Sequence, residues 1–155
     1  MSASKRRAER IDAQVEVAAP VEKVFAAATD WSRQSEWMLG TSVRVCCGDG
    51  RSVGSELQAV TGMLGIGVTD RMRITVWDAP TRCEVAHTGR VIRGKGIFQV
   101  HRRGRDRATF TWTELLELPA GGVGALVWPL IHPAVSWGMY RSLDRFAAFC
   151  RSYPA

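Results

Sequence analysis

Three side chains able to hold or move a proton stand on apolar strand rows: Glu114, His87 and Asp70. In ATFTWTELL, Phe110, Trp112 and Leu116 alternate and share a face with Glu114. A carboxyl group on a core-facing row is costly unless paired, and dry surroundings favour its protonated form. Such a group serves as a general acid or donates a hydrogen bond to a carbonyl ligand. In CEVAH, Cys83, Val85 and His87 share a face, and a neutral imidazole there can bind a ligand or shuttle a proton. In VTDRMRITVW, Asp70 belongs to the row of Val68, Met72, Ile74 and Val76. A cross-strand contact of His87 with Asp70 or with Glu114 would make an acid/base pair. Each residue also has a plainer reading. Glu114 would pair with an arginine at a rim, His87 would be a satisfied core histidine, and Asp70 would be solvated at a sheet edge.

Other chemistries find less support. There is no nucleophile elbow, no C-x-x-C and no H-E-x-x-H, and His87, His101 and His132 lie far apart. No metal and no cofactor is expected. TGMLGIG (residues 61–67) is spaced G-x-x-G-x-G with nothing helical after it, so it is no phosphate loop. Its Met63, Leu64 and Ile66 suit an apolar gate on a glycine hinge. RRGRDR (residues 102–107), with Arg90, Arg93 and Lys95 nearby, is basic but lacks interleaved aromatic platforms. A solubilising turn is expected there, not a nucleic-acid surface.

The 155 residues carry a net charge of +6 and suit one domain with a single core. Residues 1–10 are basic and aperiodic, and are expected to be a solvated tail ahead of a domain over 11–155. No apolar run follows those charges as a secretory signal would require. The four cysteines then read as reduced thiols of a cytoplasmic protein.

The elements that must position these groups follow from periodicity. IDAQVEV alternates as a strand, and Pro20, Val21, Val24, Phe25 and Ala28 mark a helix. Asp30 is placed to cap a second short helix holding Trp31 and Trp37. About six strands follow, over 43–47, 54–60, 68–77, 82–88, 94–101 and 108–116, separated by glycine and proline turns. No Asp, Glu, Lys or Arg occurs between Glu117 and Arg141, yet Pro129 and Pro133 argue against a membrane span. The pattern predicts a loop there, with His132 at a pocket mouth, and a regular amphipathic helix after Pro133. Its buried stripe would include Val135 and Met139, with Tyr140 able to offer a phenol to a ligand. The order predicts an α+β fold: a curved antiparallel sheet of about seven strands, two short helices, and a long C-terminal helix.

That order, with APVEKVFAAATDWSRQSEWM, TVWDAPTRCEVAHTG, ATFTWTELLELP and the closing WPLIHPAVSWGMYRSLDRFAAF, resembles the START/Bet v1-like (SRPBCC, helix-grip) superfamily. Within it, the chain looks like the bacterial polyketide cyclase/dehydrase and lipid-transport group. The resemblance implies that the sheet grips the last helix over a cavity for an apolar small molecule. The apolar rows supply its expected lining: Met72, Ile74, Val85, Phe98, Val100, Phe110, Trp112, Val135, Met139 and Tyr140, with Met63 and Leu64 at the gate. Two further functions stand beside binding of a lipid- or polyketide-like molecule. One is polyketide cyclisation, aromatisation or dehydration through Glu114, His87 or Asp70, and the other is an interaction module using the basic surface.

Overall fold

The computed structural model describes residues 8–63, 66–90, 92–118 and 122–154, apart from the side chains of Met63 and Val123. Seven strands form one curved antiparallel sheet: β1 (Ala8–Val17), β2 (Thr41–Cys47), β3 (Glu56–Met63), β4 (Ile66–Asp78), β5 (Arg82–Thr88), β6 (Arg93–Gly104) and β7 (Arg107–Glu117). Their spatial order is β1-β7-β6-β5-β4-β3-β2. Helix α1 (Val21–Ala28) and a 3-10 segment (Trp31–Glu36) carry the chain from β1 to the far edge, and α2 (Gly122–Ser152) closes it. Among the described residues, no helix is long and apolar enough to cross a membrane.

Alternation decides which side chains meet inside. Ala13, Trp112, Phe98 and Cys83 stand opposite one another across β1, β7, β6 and β5, and Val15, Phe110 and Val100 form the next row. Trp37, fully buried, sits over these rows. Its ring centre lies 6.2 Å from those of Phe98, Phe110 and Trp112 and 4.7 Å from that of Phe146 on α2. Phe110 and Phe146 are 4.5 Å apart. At this end the inner face is packed shut.

Three features depart from the periodicity. A bulge between Ile74 and Val76 ends the Val68–Val76 row and turns Trp77 inward, where it meets Phe25 edge-on at 5.2 Å. Asp30 does not cap the short helix; its carboxylate accepts from Ser32 and, at 2.9 Å, from Tyr153. That second bond ties the end of α2 to the α1 corner.

The third departure is α2 itself. It is helical from Gly122 and contains both Pro129 and Pro133, where a loop was expected. A proline supplies no N–H to the carbonyl four residues back. The residues affected, Ala125 and Pro129, are exposed, so water can supply the missing donors. The helix survives because its prolines lie four apart on its outer side.

Candidate active site

Asp70 on β4, His87 on β5 and Glu114 on β7 converge on the inner face. His87 stands in register with Met72 on one side and Gly94 on the other, and Glu114 stands opposite Gly96. Strands β5 and β7 are not neighbours; β6 lies between them, so they are about 10 Å apart. A contact across that gap requires an empty position on β6. Gly94 and Gly96 provide it. A Cβ at Gly96 would lie 3.2 Å from both Glu114 Oε1 and Val85 Cγ2. Gly94 has φ +125° and could carry no side chain, since a Cβ would stand 1.9 Å from the Leu115 carbonyl.

Across the cleared strand, His87 Nε2 donates to Glu114 Oε2 at 2.9 Å, and Nδ1 donates to Asp70 Oδ2 at 2.6 Å. Trp112, two residues before Glu114 on the same face, donates its indole N–H to Glu114 Oε1 at 2.8 Å. The side chains of His87, Asp70 and Glu114 are 6%, 9% and 14% exposed. Burial alone would drive the imidazole towards its neutral form. Hydrogen bonds to Asp70 and Glu114, and their charges, outweigh it and push the His87 pKa up to about 10. The arrangement is an imidazolium clamped between two carboxylates, with one negative charge in excess.

The contact foreseen from parity is thus present on both nitrogens, and Glu114 pairs with His87 rather than with an arginine. Among the described residues, two buried side-chain atoms have no hydrogen-bond partner: the acceptor Asp70 Oδ1 and the indole N–H of Trp37. Unsatisfied buried polar atoms are uncommon.

The expected lining divides into two groups. Ile74, Phe98, Val100, Phe110 and Met139 are buried in the closed core. Met72, Val85, Trp112 and Val135 are only partly buried. The first three of these lie on the inner face around His87 and Glu114, so that end is less completely covered. Tyr140 is not a lining residue: it is exposed, one position round the helix from buried Met139, and its hydroxyl donates to the Asp12 carbonyl at 3.3 Å. His132 lies in helix α2, half-buried and edge-on to Trp128 at 5.4 Å, rather than in a loop. Leu64 and the Met63 side chain lie outside the described residues. The glycine segment around them is strand up to Met63 and again from Ile66, with Gly62 opposite Gly67.

Parity did not reveal the Gly94–Gly96 pair, although the signal was present. R-G-K-G puts two glycines on the inward row of a strand that also carries Phe98 and Val100. Replacing Gly96 with Val should force Glu114 off His87. The expected result is a His87 pKa lowered by at least about one unit in an NMR titration. An unchanged value would mean that the clearing on β6 is not what permits the contact.

The sequence profile described as "Polyketide cyclase / dehydrase and lipid transport" matches residues 8–150. Among solved structures, a protein from Thermus thermophilus superposes with a TM-score of 0.78 at 17% identity, over 93% of this chain and 98% of its own. The Zhui aromatase/cyclase of a Streptomyces species gives 0.78 at 14% identity, over 94% of each chain. Norcoclaurine synthase from Thalictrum flavum, solved with dopamine and hydroxybenzaldehyde, gives 0.71 at 14% identity, over 97% of this chain and 90% of that one. At such identities these likenesses show the fold. No curated protein sequence matches the chain. The profile match spans nearly the whole sequence, and by it the chain belongs to the polyketide cyclase/dehydrase and lipid transport family.

Proposed function

We propose that the protein binds a hydrophobic, carbonyl-bearing small molecule on the inner face of the sheet and performs acid–base chemistry on it, of the cyclising or dehydrating kind. The observation that carries this reading is the buried ionic chain Asp70–His87–Glu114 on an otherwise apolar face. Such a chain does little for stability, because well-packed apolar residues of similar volume usually serve as well. A buried histidine held off its ordinary pKa, in a set partly open to one side, is a candidate for catalysis.

Glu114 is the group placed to act. Each of its oxygens accepts one protein hydrogen bond and keeps a second lone pair. In an aldol-type closure, Glu114 takes a proton from a CH2 flanked by two carbonyls. The resulting carbanion attacks a third carbonyl further along the chain, and the alkoxide formed takes the proton back from Glu114. Loss of water then needs one more α-proton removed and one proton delivered to the departing hydroxide. Both ring N–H groups of His87 are engaged, so its fixed positive charge favours the developing enolate through its field alone. The family's description and the aromatase/cyclase likeness support this reading.

A carrier function is the second reading, favoured by the partly open apolar residues Met72, Val85 and Trp112. A panel of linear polyketone thioesters separates the two, with products followed by mass spectrometry and binding by fluorescence. Glu114→Gln should cut turnover at least about 100-fold while leaving affinity within a few-fold. Tight retention of a panel member without turnover by the wild type would overturn the acid–base reading and leave a carrier.

A further inference from the structure

The first half of α2 is apolar on two sides. One side faces the protein through Trp128 and Val135. The other is bare: Leu126 is 75% exposed, Leu130 79% and Trp137 62%. A helix that is apolar all round is normally buried, and an exposed apolar patch of this kind marks a contact surface.

The surroundings of the patch identify its occupant. The stripe that starts at Leu126 and Leu130 continues at helical spacing through Trp137 into exposed Arg141 and Arg145. The strand register places the start of β1, the β5–β6 turn and the end of β7 at one end of the sheet, since Ala8 pairs with Glu117 and Thr88 with Arg93. Helix α2 begins at that end. There the β5–β6 turn carries exposed Arg90, while Arg93, opposite in parity to Gly94, points to the outer side of the sheet and lies 4.0 Å from Glu117. Leucines and a tryptophan beside arginines are the composition of a helix that lies in a lipid interface.

We infer that the outer face of α2, from Leu126 to Arg145, docks the protein on an anionic lipid surface. The leucines and Trp137 enter the headgroup boundary while the arginines meet lipid phosphates. An anionic bilayer neutralises Arg141 and Arg145, which end the stripe. The inference does not depend on the proposed chemistry, which lies on the opposite, inner side of the same helix.

The full chain should co-sediment with vesicles of phosphatidylcholine and phosphatidylglycerol, but weakly with phosphatidylcholine alone, and high salt should release it. The variant carrying Leu126→Ser and Leu130→Ser should lose affinity about tenfold or more. So should the variant carrying Arg141→Gln and Arg145→Gln. All four positions are exposed, so both variants should keep the wild-type circular dichroism and melting. Light scattering completes the test. Failure to bind anionic vesicles, or equal binding by the Leu126/Leu130 variant, overturns the proposal. A dimer that dissociates when the leucines become serine also overturns it, and assigns the face to a second copy.

Discussion

His87→Leu should destabilise the protein by about 3–5 kcal/mol at neutral pH. The substitution fills much the same volume, so the cost is not a cavity. It removes the positive charge from between Asp70 and Glu114, both of which accept from it. Two carboxylates are then left facing each other in surroundings where each is less than one-sixth exposed. Acid should narrow the gap, because protonated carboxyl groups carry no charge to oppose. A triple variant carrying Asp70→Leu, His87→Leu and Glu114→Gln should regain most of the loss, since it removes the charge and keeps an acceptor for Trp112. Urea midpoints at neutral and acid pH check all three statements. A single variant as stable as the wild type at neutral pH would show that the histidine carries no charge in the fold.

The second large effect is on the pH dependence of the wild type. The folded pKa of His87, about 10, lies above the ordinary value of 6.5. A group with a raised folded pKa gives its full stabilisation below the unfolded pKa and loses it as pH climbs through the folded one. Stability should therefore fall from about pH 6.5 to pH 10, by up to about 5 kcal/mol in total. Cysteines, lysines and tyrosines also titrate at the upper end, so the quantity to measure is the difference from the neutral triple variant. That variant should keep only the decline that the other groups give. Parallel curves for the two proteins would count against the ion chain as the source.

Much of this arrangement was readable beforehand because strand parity is strict. Alternation in CEVAH, ATFTWTELL and VTDRMR put Cys83, Phe110, Trp112, Asp70, His87 and Glu114 on inward rows, and β5 runs over the residues foreseen, Arg82–Thr88. Parity assigns a face but not a distance. That Glu114 could reach past a whole strand to His87 depended on glycines at 94 and 96, and their meaning appears only once β6 is known to lie between. The bulge at Ile74/Val76 was hidden for a similar reason. One extra residue changes which side chains point inward without changing composition, and so Trp77, partly buried, packs against the core on the row where Val76 was expected. The prolines of α2 misled because their cost depends on whether water can reach the freed carbonyls. That is a property of the outer surface of the helix, and the same surface is the proposed lipid contact.

The central claim is that an imidazolium is held between two carboxylates on the inner face. Imidazole-labelled NMR of His87 across pH tests it most directly. The account predicts that both ring nitrogens stay protonated through neutrality and titrate near pH 10, and that Glu114→Gln brings the midpoint down. A neutral single-tautomer ring at about pH 7.5, titrating near the ordinary histidine value, would contradict it and remove the basis for acid–base chemistry at this site.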